Sequence, residues 1–266
     1  MRKASTSIDP IYTVSLIITA IVLFAVTLPL IVTFGTAFNP TTQATFPPTG
    51  LSLRWFENVF KRPEFGGPFY RSLAVAFASG LCAMTLGTMC AVALTKYRFK
   101  GRDALDAVLM SPLIVPQVIL GLSFLIFSVR FKALGSLGTL IVLHCVLTLP
   151  YAVRVIRASL QSISLTPEEA GIGLGASPAR SFFLITLPQI KSGIFAASFF
   201  CFVISFDNFT ATAFLAQNNT TLPIEIYFYI ETRVDPTIAA IAALMMIGTI
   251  FFVMVIDRMV GIKKIT

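Results

Sequence analysis

The sequence predicts an all-α, polytopic membrane protein with six transmembrane helices. The first observation is composition: 56% of the 266 residues are hydrophobic and only 12% are charged. A soluble domain averages about 25% charged residues. The second observation is a mean hydropathy of +0.86. The third is that long uncharged stretches recur along the chain, each close to the ~20 residues that a helix needs to cross a bilayer.

Six such stretches are predicted as spans, and they cover residues 11–38, 72–95, 107–129, 133–153, 192–215 and 236–256. The first is too long for the apolar region of a signal peptide, so we expect it to be retained. A very short turn with Arg130 and Lys132 joins the third span to the fourth, which predicts an antiparallel helical hairpin. Pro112 and Pro116 predict a bent or broken helix over residues 111–122.

The lysine and arginine side chains predict an orientation. With the amino terminus inside the cell, cytoplasmic segments hold most of them, including Arg2, Lys3 and the run "KYRFKGR" between spans two and three. This positive-inside bias predicts that both termini are cytoplasmic. It also accounts for the net charge of +8, so no nucleic-acid partner is expected. The external loop after span one contains "LSLRWFENVF", whose Trp55 we expect at the outer membrane interface.

The reactive residues favour neither metal binding nor catalysis. All four cysteines fall inside apolar spans without metal-ligand spacing, which indicates reduced packing residues. The single histidine, His144, is predicted to make a contact between helices rather than to bind a metal. One isolated histidine and one isolated intramembrane aspartate do not form the constellation that a membrane-embedded enzyme needs.

A polar segment between spans four and five differs from this apolar background. Residues 164–188 read "SLTPEEAGIGLGASPARSFFLITLP". Thr166, Pro167 and Glu169 fit a capping box, in which Thr166 is the N-cap and Glu169 reaches back to the Thr166 N–H. The glycines of "GIGLGAS" are not followed by the lysine of a phosphate-binding loop, and no strand precedes them, so nucleotide binding by this chain is not expected.

A second helix start follows within the same segment. Ser177 is a predicted N-cap and Pro178 occupies the first helical position, directly after a predicted stop at Gly175. The pattern predicts a short helix, a tight corner and a second helix that leads into the fifth span. The segment also carries apolar side chains that need a partner, namely Leu174, Phe182, Phe183 and Leu187.

The spacing of this segment resembles the "EAA" motif of permease subunits in bacterial binding-protein-dependent ABC importers. That motif has E-A-A, three residues, G, nine residues and I-x-L-P, and the matching positions are Glu169, Ala170, Gly171, Gly175, Ile185, Leu187 and Pro188. Gly171 departs from it, because the family more often has alanine there, and we expect the missing methyl group to thin a docking surface. The resemblance implies the type I ABC-importer permease fold. The predicted parts are an N-terminal helix with its external loop (1–68), a permease core (69–257) and a cytoplasmic tail (258–266).

The resemblance also implies how the chain would work. In that family the segment is a coupling helix that sits in a groove of the cytoplasmic ATPase subunit. Glu168, Glu169, Ala170 and Gly171 would then lie on the docking helix, Gly175 would form the turn, and Ile185, Leu187 and Pro188 would set the exit towards the membrane. The implied partners are a second, similar permease subunit in a heterodimer, two ATPase subunits and an external substrate-binding protein, in the bacterial cytoplasmic membrane. ATP and Mg would be bound by the ATPase partners, so this chain would carry no cofactor and catalyse no reaction.

The stretch "SFDNFTATAFL" resembles the smaller permease subunit of spermidine/putrescine importers. Asp207 is an acid inside a predicted span, where a charged residue favours a functional site, and Asn208 and Thr210 make its surroundings polar. Asp207 could equally form a contact between helices or lie near the outer surface. The substrate alternatives are phosphonate, iron or an amino-acid-like compound. An ATP-independent secondary transporter is the remaining alternative, but it predicts several intramembrane charges or an inverted repeat.

Overall fold

The computed structural model describes residues 10–217 and 219–260, and every regular element in these ranges is helical. Lys263 and Lys264, like Arg2 and Lys3, lie outside the described residues, as does most of the predicted tail. The α-helices are α1 (Pro10–Thr36), α2 (Arg54–Lys61), α3 (Pro63–Lys96), α4 (Arg102–Ile114), α5 (Gln117–Arg130), α6 (Leu137–Gln161), α7 (Thr166–Gly173), α8 (Pro178–Ser181), α9 (Leu187–Gln189), α10 (Lys191–Phe206), α11 (Leu222–Thr232) and α12 (Thr237–Val260).

The chain divides into two compact units. Among the described residues, the first comprises residues 10–62 together with Tyr229–Ile247, and the second comprises Pro63–Phe228 with residues 248–260. In the first unit, α1 exposes apolar side chains around its whole circumference over most of its length, as a helix surrounded by lipid does.

The short amphipathic helix predicted around Trp55 is present as α2. Trp55 is only 4% exposed and packs with Ala37, Ala240 and Ala243. Its indole N–H donates to the Asn39 carbonyl oxygen at 2.6 Å. The ring and its polar edge are both satisfied inside this unit, so Trp55 is a core residue, and its location at the outer membrane interface stays a prediction.

The second unit is built on close packing of α3, α6 and α10. Small residues fill the contact, including Ala83, Ala91, Ala152 and Ala197, all fully buried. A Cβ atom built at Gly87 of α3 would lie 2.7 Å from the Ala152 Cβ of α6. Helices in lipid gain most from van der Waals contact, and small residues allow their backbones to approach closely.

The number of spans depends on two bends. Within residues 10–217 and 219–260, four helices are long and apolar enough to cross a membrane alone, namely α1, α3, α6 and α12. The pair α4 and α5 bends by 103° and the pair Pro178–Gln189 and α10 bends by 74°, which gives six spans if each bent pair counts as one. The first bend falls at Val115 and Pro116, within the stretch predicted to be bent or broken.

The fifth predicted span ends earlier than the hydropathy pattern suggests. Helix α10 stops at Phe206 and Asp207 is its C-cap residue, whereas the prediction continued to Leu215. The chain then runs through irregular backbone and a single 3₁₀ turn at Thr212–Phe214. Apolar composition alone could not reveal this end, because the residues that follow are also largely apolar and half of them are buried in the core.

Candidate functional site

The 164–188 segment has the predicted helix–corner–helix shape. Helix α7 ends at Gly173, and Gly175 adopts a left-handed φ of +93°, which glycine tolerates without a steric penalty. Ser177 is the N-cap of α8 and accepts a hydrogen bond from the Arg180 N–H at 3.3 Å. These observations confirm both the turn at Gly175 and the second helix start.

The predicted capping box at the start of α7 is wrong. Thr166 lies inside the helix, and its N–H donates to the Ser164 hydroxyl at 3.3 Å. The Leu165 carbonyl accepts from the backbone N–H groups of Glu168 and Glu169, so the helix begins one residue earlier than expected. Glu169 is therefore not needed for capping, and its side chain is exposed.

The buried acid of this segment is Glu168. It is 9% exposed, and its Oε2 accepts hydrogen bonds from Lys96 Nζ and Thr186 Oγ1. Burial alone raises the pKa of a carboxyl group, but the two hydrogen bonds and the Lys96 charge outweigh it, so the pKa of Glu168 lies below its ordinary value. Lys96 in turn lies 5.2 Å from the centre of the Phe182 ring.

Sequence reasoning did not find Lys96 or Thr186. Lys96 belongs to the basic run that was interpreted only as an orientation signal, and Thr186 follows four residues of apolar sequence. Two adjacent glutamates on a helix point about 100° apart, so one of them can face inward while the other faces outward. The glutamate pair was thus a signal that one acid would be buried, although it did not say which one or against what.

Gly171 faces the interior of the segment rather than its outer surface. A Cβ atom there would lie 2.8 Å from Ser181 Oγ and 2.9 Å from Ile185 Cδ1. The expectation that the missing methyl group thins a docking surface is therefore wrong. Glycine instead allows α7 to approach the returning chain, and the wide π-helical turn Phe182–Thr186 places Thr186 against Glu168.

Several apolar side chains of the segment remain uncovered. Leu174 is 91% exposed and Phe183 is 62% exposed, and Ile172 and Leu184 are also exposed. The other predicted coupling residues of the segment differ in their exposure. Glu169, Ala170, Gly175 and Pro188 are exposed, whereas Ile185 and Leu187 are half-buried.

Two further polar contacts join the ends of neighbouring helices beside this segment. The Arg102 guanidinium donates to the Leu94 carbonyl near the end of α3, with its Nε 2.9 Å away. Arg157 Nη1 of α6 and Asp106 Oδ2 of α4 form an ion pair at 2.8 Å. With Lys96 and Glu168, these contacts connect the ends of α3, α4 and α6 to the segment.

The three residues predicted for the substrate path do not share one environment. Asp207 and Thr210 are exposed, whereas Asn208 is buried. The Asn208 amide donates to Gln117 Oε1 of α5 at 3.0 Å, and its oxygen accepts from the Ala211 and Thr212 N–H groups at 3.3 Å. Asn208 thus holds the irregular chain after α10 in place, whereas Asp207 and Thr210 are left uncovered by the described residues.

His144 joins the same polar network. Its Nδ1 lies 2.7 Å from Ser205 Oγ and its Nε2 lies 2.9 Å from Thr212 Oγ1. Because the Thr212 hydroxyl donates to Asn208 Oδ1, it can only accept from Nε2–H, and a neutral ring then accepts from Ser205 at Nδ1. The prediction that His144 makes a contact between helices is confirmed.

Neither the cysteines nor any acidic cluster offers a metal site in the described part of the chain. Residues 10–217 and 219–260 contain no group of three or more His, Cys, Asp or Glu side chains that could hold an ion. All four cysteines lie in these ranges as free thiols, and Cys201 is buried in the contact of α3, α6 and α10.

Comparison with known proteins finds membrane components of transport systems as relatives of this chain. The family described as "Binding-protein-dependent transport system inner membrane component" matches residues 83–263. The putrescine transport system permease protein PotI of Escherichia coli (strain K12) is 31% identical over 214 residues, which cover 77% of this chain and 76% of that protein. The spermidine/putrescine transport system permease protein PotC of Haemophilus influenzae is 28% identical over 202 residues, covering 74% and 77%. The solved structure of a bacterial alginate ABC transporter in complex with an alginate pentasaccharide-bound periplasmic protein has a TM-score of 0.68 at 16% identity, with 93% of each chain covered.

The chain is a permease subunit of an ABC importer, and its relatives are transport components. The family match extends over more than half of the sequence. The chain therefore belongs to the family of binding-protein-dependent transport system inner membrane components, and it is a multi-pass membrane protein.

Proposed function

We propose that this chain forms one half of the translocation path of an ATP-driven importer for polyamines such as putrescine and spermidine. The observation that carries the proposal is the surface of the 164–188 segment, where Leu174 is almost uncovered and Phe183 is more than half exposed beside the corner at Gly175. An exposed apolar patch on a polar segment favours a protein partner. We assign that partner as a cytoplasmic ATPase subunit.

The proposed assembly contains this chain, a second and similar permease subunit, two ATPase subunits and one external substrate-binding protein. ATP and Mg would be bound by the ATPase subunits, and both termini of this chain would lie in the cytoplasm of a bacterial cell. The exposed residues Glu169, Ala170, Leu174 and Gly175 would contact the ATPase. Ile185, Leu187 and Pro188 would lead the chain back to the membrane, so that movement of the segment alternates the path between outward-facing and inward-facing states.

The choice of a polyamine rests on two observations. The relatives PotI and PotC are named for putrescine and spermidine transport. Asp207 exposes a carboxylate at the end of α10, where it would attract a cationic solute. Phosphonate, iron and amino-acid-like compounds are the alternative substrates, and an anion such as phosphonate would be repelled by this carboxylate.

A groove elsewhere in the second unit is less suited to a cation. It has a volume of about 700 Å³ between α6 and α10, and Tyr151, Ser159, Ser192 and Phe200 contribute to its lining. Arg154 also lines it and is exposed, so an approaching polyamine would meet a like charge. We therefore place the first contact with the substrate at Asp207.

Uptake by cells that lack the gene for this chain, compared with cells that carry it, tests the proposal. We expect labelled putrescine or spermidine to accumulate only in cells with the chain, and collapse of cellular ATP to abolish the accumulation. Accumulation that survives ATP depletion but requires an ion gradient would instead support a secondary transporter. If neither polyamine accumulates and a phosphonate, iron or an amino acid does, the importer assignment would survive with a different substrate.

A further inference from the structure

Three separate parts of the chain meet at one carboxylate oxygen. Glu168 comes from the first turn of α7, Lys96 is the last residue of α3, and Thr186 lies at the end of the π-helical turn. Both Lys96 and Thr186 donate to Glu168 Oε2. The junction therefore joins α7, the π-helical turn Phe182–Thr186 and the membrane-spanning helix α3 at a single point.

This junction differs from an ordinary surface ion pair. Exposed pairs contribute little, because water screens them and their side chains are mobile. The Lys96 and Glu168 side chains are each only 11% exposed, and Phe182 covers the ammonium group. Removing either partner would leave an uncompensated buried charge, which is strongly unfavourable. The pair is thus expected to stay closed when its surroundings move.

Helix α3, which carries Lys96, can transmit a movement from the junction to the core of the second unit. Helix α3 is the longest in the described part of the chain and packs along both α6 and α10. Its last turns are also held by Arg102, which donates to the Leu94 carbonyl. A displacement of α7 would therefore reach α3 directly and the other core helices through α3.

We propose that Glu168 is a positioning residue that transmits movement of α7 to α3 through Lys96, and thereby couples ATP hydrolysis to transport. This inference rests on the proposed function, since it requires an ATPase that moves the 164–188 segment. Glu169, the acid that matches the "EAA" motif, faces outward and belongs to the docking surface. Glu168 faces inward and acts after docking.

The test uses the complete importer in proteoliposomes, with substrate uptake and ATP hydrolysis measured on the same preparation. In Glu168→Gln and Lys96→Met we expect the ATPase subunits to stay bound and hydrolysis to continue, while uptake per ATP falls about fivefold or more, the lower end of typical coupling effects. The reversed pair Lys96→Glu with Glu168→Lys restores an ion pair and should recover part of the loss. Lys100→Met, which removes an exposed lysine of the same loop, is the matched control and should leave the ratio unchanged.

Three results would overturn the inference. An unchanged ratio of uptake to hydrolysis in Glu168→Gln would show that the junction carries no coupling. Loss of the ATPase subunits together with both activities would assign Glu168 to docking, and the proposed function would remain intact. A wild-type complex without ATP-dependent uptake would remove the proposed function and this inference together.

A distance measurement tests the same idea without depending on a substituted junction. Spin labels at Tyr97 and Gly173, both exposed, report the separation of α3 from α7. If the junction is rigid, the wild-type complex should give one unchanged distance with and without ATP. A change of several ångströms between the two states would contradict direct transmission through Lys96.

Discussion

Substitution of Gly87 by alanine tests the packing that holds the core together. The new Cβ would lie 2.7 Å from Ala152 Cβ, and the Ala152 carbonyl carbon and Val153 nitrogen would both be at 3.4 Å. Carbon atoms prefer separations of about 3.5–4.0 Å, so α3 and α6 would have to move apart by about 1 Å. Two of these three atoms belong to the backbone, and no flexible side chain can turn aside to make room.

The size of the effect follows from two opposing terms. Overpacking of a tight contact costs about 1–3 kcal/mol. Alanine also gains up to about 1 kcal/mol over glycine in a helix interior, which hides part of that cost. Gly66 lies in the same helix, and a Cβ there would meet no described atom within 4 Å. The difference between Gly87→Ala and Gly66→Ala therefore removes the helix-propensity term and leaves the steric one.

Reversible unfolding of the purified chain in mixed detergent micelles measures this difference. We expect Gly66→Ala to be neutral or slightly stabilising and Gly87→Ala to be less stable than Gly66→Ala by about 1–3 kcal/mol. Equal unfolding free energies for the two variants would refute the close approach of α3 and α6 on which the fold depends.

Substitutions at three other positions probe the buried network, the junction and the substrate path. His144→Ala leaves Ser205 and Thr212 without a buried partner and should lower the free energy of unfolding by at least about 1 kcal/mol, whereas His144→Gln can keep one bond and should lose less. The pKa of Glu168 is lowered in the folded chain, so its stabilisation is present above its ordinary value of 4.5 and disappears as the pH falls below that value. The stability difference between wild type and Glu168→Gln, measured by the same unfolding assay, should therefore shrink as the pH is lowered from about 6 to below 4.5. Asp207→Asn should slow uptake of a labelled polyamine severalfold without changing assembly.

Each of these predictions has a result that contradicts it. Equal stability of His144→Ala and wild type would mean that the network contributes nothing to the fold. A wild-type advantage over Glu168→Gln that grows on acidification would reverse the sign argued for this carboxyl group. Unchanged uptake kinetics in Asp207→Asn would reduce Asp207 to a structural C-cap residue.

Much of the fold could be predicted from the sequence, because lipid imposes simple requirements. A bilayer demands long apolar helices, so the positions of α1, α3, α6 and α12 were evident from uncharged length alone. Turn chemistry was equally local: the positive φ at Gly175 and the N-cap at Ser177 follow from residue types whose conformational preferences are strong.

The contacts between distant residues could not be predicted in this way. Lys96 and Glu168 are 72 positions apart, and a positive loop residue reads as an orientation signal whether or not it has a partner. The general preference of tryptophan for membrane interfaces likewise did not reveal that the Trp55 indole N–H donates to the Asn39 carbonyl oxygen, 16 positions away. The end of α10 at Phe206 was missed since buried irregular chain is as apolar as a helix.

Purification of the tagged chain from its native membrane, followed by mass spectrometry of the bound proteins, tests the central claim most directly. A matched pair of variants shows whether the 164–188 segment binds the ATPase. Leu174→Asp places a charge on the exposed surface of that segment, and Leu51→Asp places one at an exposed leucine of the loop after α1. We expect wild type and Leu51→Asp to retain an ATPase and a second permease, and Leu174→Asp to lose the ATPase while it keeps the permease. Equal ATPase retention in all three, or a wild-type chain that emerges alone under conditions that preserve membrane complexes, would contradict the account.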